Sequence, residues 1–349
     1  MNSQNRSRIA SLIWAAGIGA LASLPSGASA AQAQHQTYEM KISTPTINDV
    51  PDTYARNFLA AVEKDSGGRI TGRVYPASQL GSIPRQIEGT QFGSIQCEVV
   101  PPEFMVGLDP RFELMAAPGL VDSLAQGQKV AQDPAVRKLM LSLGADKGLH
   151  GVGLFMSEPS DVVTKTPIRT LADFKGKKIR IFASQFQSVA FERLGVTPVA
   201  MSLGDVLPAI QQGAIDGAVT GMGPISHMHF VDAAKYVTMT NQPSIFIIVE
   251  INKKWYEALP KDLQRIIDKD GAEQSIVIAP TAASFRAKAE QSYAASGGEE
   301  IKLAPNEQAT LLKTLSSVGT DVSKASPQLA AGYKIVTEAA ARFAAAPSQ

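Results

Sequence analysis

The stretch Leu171-Ala172-Asp173-Phe174-Lys175-Gly176-Lys177-Lys178-Ile179-Arg180-Ile181-Phe182 decides how this chain is read. It gives a helical turn followed by a strand at Lys178 to Phe182, with an arginine inside the strand. A helix over Gln185 to Leu194, a second over Asp205 to Gln212 and a strand from Ala214 follow in turn. Strands that alternate with helices in this way predict an α/β unit.

The same alternation extends toward the N-terminus. Tyr38 to Ile42 alternates apolar and polar residues as a half-buried strand does. Asn48 and Asp49 are candidate caps before Pro51, and Tyr54, Phe58, Ala61 and Val62 recur at helical spacing until Gly67-Gly68 stops the run. Ile70 to Tyr75 reads as a strand, Pro84 to Gly93 as a short helix, and Ile95 to Val100 as a strand that Pro101-Pro102 ends. Helical periodicity resumes at Val136 to Leu143, and Gly148 to Met156 is an apolar strand.

Beyond the central unit, Ile245 to Ile251 is continuous enough in apolar residues for a fully buried strand. We read it as a return crossing, which predicts two lobes: residues 31–154 with 243–290, and residues 155–242 with 291–349. A helical stretch from Asp262 to about Ser296, softly broken by Gly271 and Pro280, is placed to brace both. Ile301 to Leu303 is a short strand, and the Ala-rich tail after Pro327 is helical until Pro347.

At the N-terminus, Arg6 and Arg8 precede an apolar run from Ile9 to Leu24, and Ala28-Ser29-Ala30 supplies small residues for cleavage. This is the pattern of a secretory signal, with the mature chain starting near Ala31 in the periplasm. The run is shorter than the roughly 20 residues of a spanning helix. Removing Arg6 and Arg8 from the 33 basic residues leaves 31 against 32 acidic ones, a formal charge of −1. No basic excess points to nucleic acid or to an anionic membrane.

Cys97 is the only cysteine, so an intramolecular disulfide is excluded. Between Ile95 and Val99 it reads as a packed hydrophobe. There is no G-x-S-x-G elbow, H-E-x-x-H, C-x-x-C or P-loop. The one glycine pattern like a dinucleotide fingerprint, Gly17 to Ala22, falls within the signal. His227 and His229 at alternate positions would share one face of a strand and could begin a metal site with Asp232, but no further ligand is evident. No metal and no cofactor is expected.

The central stretch continues through Leu194-Gly195 and Pro198-Val199-Ala200-Met201 to Gln212-Gly213-Ala214-Ile215-Asp216-Gly217. With Tyr75-Pro76 and Gln79-Leu80-Gly81 before it and Leu259-Pro260 after it, this resembles the solute-binding subunits of TRAP transporters, the dicarboxylate-binding-protein-like family. The resemblance covers nearly the whole mature chain. It implies a two-lobed periplasmic-binding-protein fold of type II-like α/β class with hinge strands. It also implies no catalysis, a monomer, and a membrane permease partner driven by an ion gradient rather than an ATPase.

In such a protein Arg180 would grip a ligand carboxylate, because guanidinium presents a rigid fork of donors that lysine lacks. Without the resemblance, a surface arginine paired with Asp173 or Glu192 is the favoured reading, since exposed arginines outnumber ligand-gripping ones. Sugar-acid-binding members commonly carry a second arginine where this chain has Ser160, and asparagines where it has Ala183 and Thr220. An aromatic lining position is Leu203, and Phe104 falls where another arginine would be. With Phe182, Thr44 and Pro101 these residues outline a site with one strong anionic anchor and apolar walls, suited to a less polar acid. Ser202 or Asp205 is read as the cap of the helix through Gln212. Two other readings stay open: an exported metal-dependent hydrolase, and a binding partner of a sensor kinase.

Overall fold

Local chemistry starts the first helix where the caps are read. Asp49 has extended backbone and its carboxylate accepts from the Asp52 amide at 3.1 Å, with Pro51 in the first turn, and the helix Val50–Asp65 runs to Ser66. Gly67 and Gly68 then take φ of 64° and 76°, the left-handed region that ends the run. The computed structural model describes residues 36–344, so the signal read at residues 1–30 and the stop at Pro347 lie outside the described residues.

In chain order the described strands are β1 (Tyr38–Ser43), β2 (Ile70–Tyr75), β3 (Cys97–Val100), β4 (Leu149–Pro159), β5 (Asp161–Thr164), β6 (Lys178–Ile181), β7 (Thr197–Ala200), β8 (Gly217–Thr220), β9 (Tyr236–Met239), β10 (Ser244–Asn252) and β11 (Glu299–Lys302). They make two sheets, a five-stranded one ordered β2-β1-β3-β10-β4 and a six-stranded one ordered β11-β9-β5-β8-β6-β7. In the first, β1 is parallel to β2 and β3, while β10 is antiparallel to β3 and β4. In the second, β6 is parallel to β7 and β8, and β5 is antiparallel to β8 and β9. This is the two-lobed α/β fold.

The chain leaves the first sheet between β4 and β5 and returns between β9 and β10. Hydrogen bonds tie the two crossings together. The Ser160 amide and hydroxyl both donate to the Pro243 carbonyl, at 3.0 and 2.6 Å, and the Asn241 amide donates to the Asp161 carboxylate at 3.1 Å. A third passage runs through the helices Lys261–Val277 and Ala279–Ala295 to β11. The first of these packs on the helix Val50–Asp65 and on β4, and the second on the helix Met222–His227 as well as on β4. The expected brace is therefore two helices that meet at Ile278.

Gly271 is a packing residue rather than a soft break, because a Cβ there would stand 2.9 Å from the Val152 side chain. That close approach lets the Gly271 carbonyl accept from the Tyr54 hydroxyl at 2.9 Å while the Tyr54 ring stacks on Phe155 at 4.7 Å. The helix Pro327–Phe343, grouped with the second lobe in the sequence reading, packs on residues 110–116, 124–132 and 134–140. Cys97 is fully buried among apolar residues.

Among the contacts between the lobes are two sets of hydrogen bonds. The Glu113 carboxylate accepts from the Ser184 hydroxyl at 3.1 Å and from the Gln185 and Phe186 amides at 2.5 and 3.3 Å, so a residue from before β4 holds the N-terminus of the helix Gln185–Arg193. The Ser202 hydroxyl accepts from the Ile83 amide at 3.2 Å. Ser202 and Asp205 were expected as caps, but neither side chain makes a capping bond, because a 3-10 turn over Leu203–Asp205 precedes the helix Val206–Gln211 and the Ser202 hydroxyl is engaged elsewhere.

Glu98 on β3 lies directly opposite Glu250 on β10, both are fully buried, and none of their four carboxyl oxygens has a hydrogen-bond partner among the described residues. Burial pushes the Glu98 carboxyl up to about 8, and burial with Glu98 alongside pushes Glu250 well above the usual range. The folded state therefore holds protons that the unfolded chain releases above about 4.5, and stability falls as pH rises from there toward 8. Glu98→Gln should flatten that fall by up to about 1.4 kcal/mol per pH unit. Denaturant titrations at pH 5 and pH 8 would show it, and equal pH slopes for the variant and the parent would remove the assignment.

Candidate functional site

Arg180 sits on β6, between β7 and β8, in register with Val199 on one side and Ala218 on the other. Its side chain is 1% exposed. Nε donates to the Met201 carbonyl at 2.9 Å and Nη1 to the Val219 carbonyl at 3.0 Å, which fixes the guanidinium plane. The plane lies over the Phe182 ring at 4.7 Å and the Phe104 ring at 5.7 Å, and these rings stack on each other at 5.4 Å. Cation–π contact of this kind supports a cation but does not neutralise it.

The arginine pairs with neither Asp173 nor Glu192; Asp173 instead accepts from Arg169 and Thr170. Among the described residues Arg180 has no salt-bridge partner at all. Glu103 acts on it through space but makes no salt bridge with it; burial pushes that carboxyl up to about 8, and both its oxygens lack a hydrogen-bond partner among the described residues. Burial pulls Arg180 itself down to about 9, still well above neutrality. The site thus holds an ordered cation with donor capacity left on Nη2 and no acid in salt-bridge contact with it.

A cavity of about 40 Å³ opens onto this guanidinium. Arg180, Phe104, Phe182, Leu203, Thr220 and Pro101 line it, so six residues singled out in the sequence converge from both sheets. Ser160, Ala183 and Thr44 do not reach it: the Ser160 hydroxyl is committed to Pro243, Ala183 precedes the helix cap Ser184, and Thr44 is buried with its amide on the Tyr75 carbonyl.

The structure adds lining residues that sequence reasoning passed over. Thr46, Asp49, Ser157 and Glu158 are polar and buried, while Ile83, Ile245 and Ile247 extend the apolar wall. Asp49 had been read as a helix cap, which it is; that role hides its second exposure to the cavity. Glu158 lies one residue before the end of the strand β4, and the polar break Ser157-Glu158 after an apolar run was its only signal.

His227 and His229 are not on a strand, which corrects the expected shared face. His227 ends the helix Met222–His227, and His229 takes a left-handed φ of 56° before a 3-10 turn at Phe230–Asp232. Pro224 within that first turn suits a helix, and the His-Met-His-Phe alternation imitated a period of two by accident of composition. Among the described residues no group of three His, Cys, Asp or Glu side chains is placed to hold a metal ion.

Comparison with known proteins agrees with this architecture. Residues 44–324 match the model of a family described as bacterial extracellular solute-binding protein, family 7. A C4-dicarboxylate-binding periplasmic protein of Rhodobacter capsulatus is 26% identical over 77% of this chain and 81% of its own. The 2,3-diketo-L-gulonate-binding periplasmic protein of Escherichia coli is 25% identical over 76% and 80%. Among solved structures, a TRAP periplasmic solute-binding protein of Desulfovibrio salexigens with bound orotic acid superposes with a TM-score of 0.80 at 23% identity, covering 88% of this chain and 100% of that one. One from Shewanella oneidensis with bound succinate gives 0.80 at 21%, covering 87% and 99%. A family match that starts just after β1 and takes in β2 to β11 with Arg180 makes this chain a member of the bacterial extracellular solute-binding proteins of family 7.

Proposed function

We propose that this protein captures a small organic acid by its carboxylate on Arg180 and delivers it to the membrane subunits of a TRAP permease. One observation carries the reading: a buried, doubly anchored guanidinium with no salt-bridge partner among the described residues lines a cavity between the sheets. An unpaired buried charge costs several kcal/mol, and a ligand carboxylate supplies the missing charge with bidentate geometry. Each of the relatives and structures compared is named for, or holds, a ligand that carries an acid group or its equivalent.

A cavity of about 40 Å³ between aromatic and aliphatic walls favours a compact acid over a polyhydroxylated one. The lobes divide at the crossings near residues 154–160 and 240–243, and closing them about these strands would enclose the ligand. Residues 1–30 are assigned as a signal cleaved near Ala31, the mature chain as a periplasmic monomer, and its role as binding without chemistry.

A thermal-shift screen of organic acids tests the reading, since a ligand that binds only the folded state stabilises it by about 2.7 kcal/mol at one hundred times its Kd. Arg180→Lys should weaken the best acid by about 1.5–3 kcal/mol, roughly ten- to a hundred-fold in Kd by calorimetry. Ser160→Ala should instead cost about 1 kcal/mol of stability through the lost bond to Pro243 and leave Kd within a few-fold. If the best acid bound Arg180→Lys as tightly as the parent, the carboxylate anchor would lie elsewhere.

A further inference from the structure

The cavity that holds Arg180 also holds two acids with no part in gripping a carboxylate. Glu158 and Asp49 are 6% and 3% exposed, and neither pairs with Arg180. They lie close to each other: a Cβ added at Gly223 would stand 3.1 Å from Glu158 Oε1 and 3.9 Å from Asp49 Oδ2. A Cβ at Gly221 would overlap the Glu158 carboxyl at 2.1 Å, so two glycines leave the room that this pair takes up.

The protein itself satisfies the pair only in part. Glu158 accepts from the Gly223 amide at long distances, 3.3 and 3.4 Å, and Asp49 spends one oxygen on the Asp52 amide. The cation that acts on Glu158 is Arg286, whose Nη2 is held by Asp161 at 2.8 Å and whose Nε is held by Glu290 at 2.8 Å. Beside them Thr46 lines the same cavity, buried, and its hydroxyl acts on the Asp49 carboxyl. These residues bring acceptors to a cavity to which Arg180 brings donors.

We propose that the ligand is zwitterionic, an acid whose carboxylate meets Arg180 and whose protonated nitrogen is held by Glu158 and Asp49, with Thr46 completing the acceptor set. The inference rests on the carboxylate reading above and refines it. A second carboxylate on the ligand would face two buried acids, and a plain hydrocarbon end would leave their lone pairs without donors; a cationic N–H group satisfies both charge and hydrogen bonding. Burial and the Asp49 charge push Glu158 up to about 8, and burial pushes Asp49 up to about 6. A protonated nitrogen beside them favours the ionised form of both.

Isothermal titration calorimetry with matched probes tests the proposal. Piperidine-2-, 3- and 4-carboxylates are set against cyclohexanecarboxylate, and linear ω-amino acids against monocarboxylates and dicarboxylates of equal length. At least one amino acid should bind ten-fold or more tighter than its carbon isostere. Glu158→Gln, or Asp49→Asn, which keeps a capping side chain, should reduce that preference to within about three-fold, the amino acid losing more affinity than its isostere. Arg180→Lys should weaken both members of the pair. Dicarboxylates or carbon isosteres that bind as tightly as the amino acids would overturn the zwitterion and leave the carboxylate reading standing. Binding by no acid of any series would overturn both.

Discussion

The guanidinium of Arg180 is a charge taken out of water before any ligand arrives, and much of the second lobe is arranged around that fact. Two backbone carbonyls, from the residue after β7 and from β8, accept its hydrogen bonds, so the strands that flank β6 set its orientation. Two phenyl rings screen it, Phe182 from its own strand end and Phe104 from the turn after β3. The cost of such a desolvated cation falls only when an anion enters. A site built in this way is strained when empty and relaxed when filled, which is how a binding protein discriminates a carboxylate from a neutral solute of the same shape.

Much of the fold could be read from residues whose chemistry is local. Asp49, Pro51 and the Gly67-Gly68 pair bound the first helix by capping and by positive φ, and the apolar run Ile245 to Ile251 could only be a strand buried on both faces. The arginine was legible through its family resemblance, since the residues alone favoured a surface ion pair. What the sequence did not disclose depends on contacts remote in the chain. Glu158 and Asp49 are far apart in sequence and meet only because the end of β4 and the first helix converge over the glycines 221 and 223. Ser160 stands where a ligand contact was expected, yet the return crossing arrives beside it and takes its hydroxyl.

The histidines show the reverse error. Alternation of polar and apolar residues over four positions is too short to separate a strand from the end of a helix. Pro224, at the start of the turn, was the better guide. Glu250 was likewise absorbed into an apolar run, although a carboxyl buried opposite another carboxyl changes what the sheet needs from its surroundings. Patterning locates elements well; it says little about which polar groups end up without partners.

The Glu113 carboxylate, which holds the first amides of the helix Gln185–Arg193, and the Ser202 hydroxyl, which accepts from Ile83, link elements of the two sheets with no ligand involved. In a protein that closes by hinge motion, such bonds are part of the closed state whether or not it is loaded. They lower the free energy that the ligand must contribute to closure, and so raise apparent affinity. They also raise the share of closed but empty molecules, and a permease that recognises only the closed shape would meet those as competitors of the loaded form. The strength of these links therefore sets a balance between scavenging at low solute and idle docking.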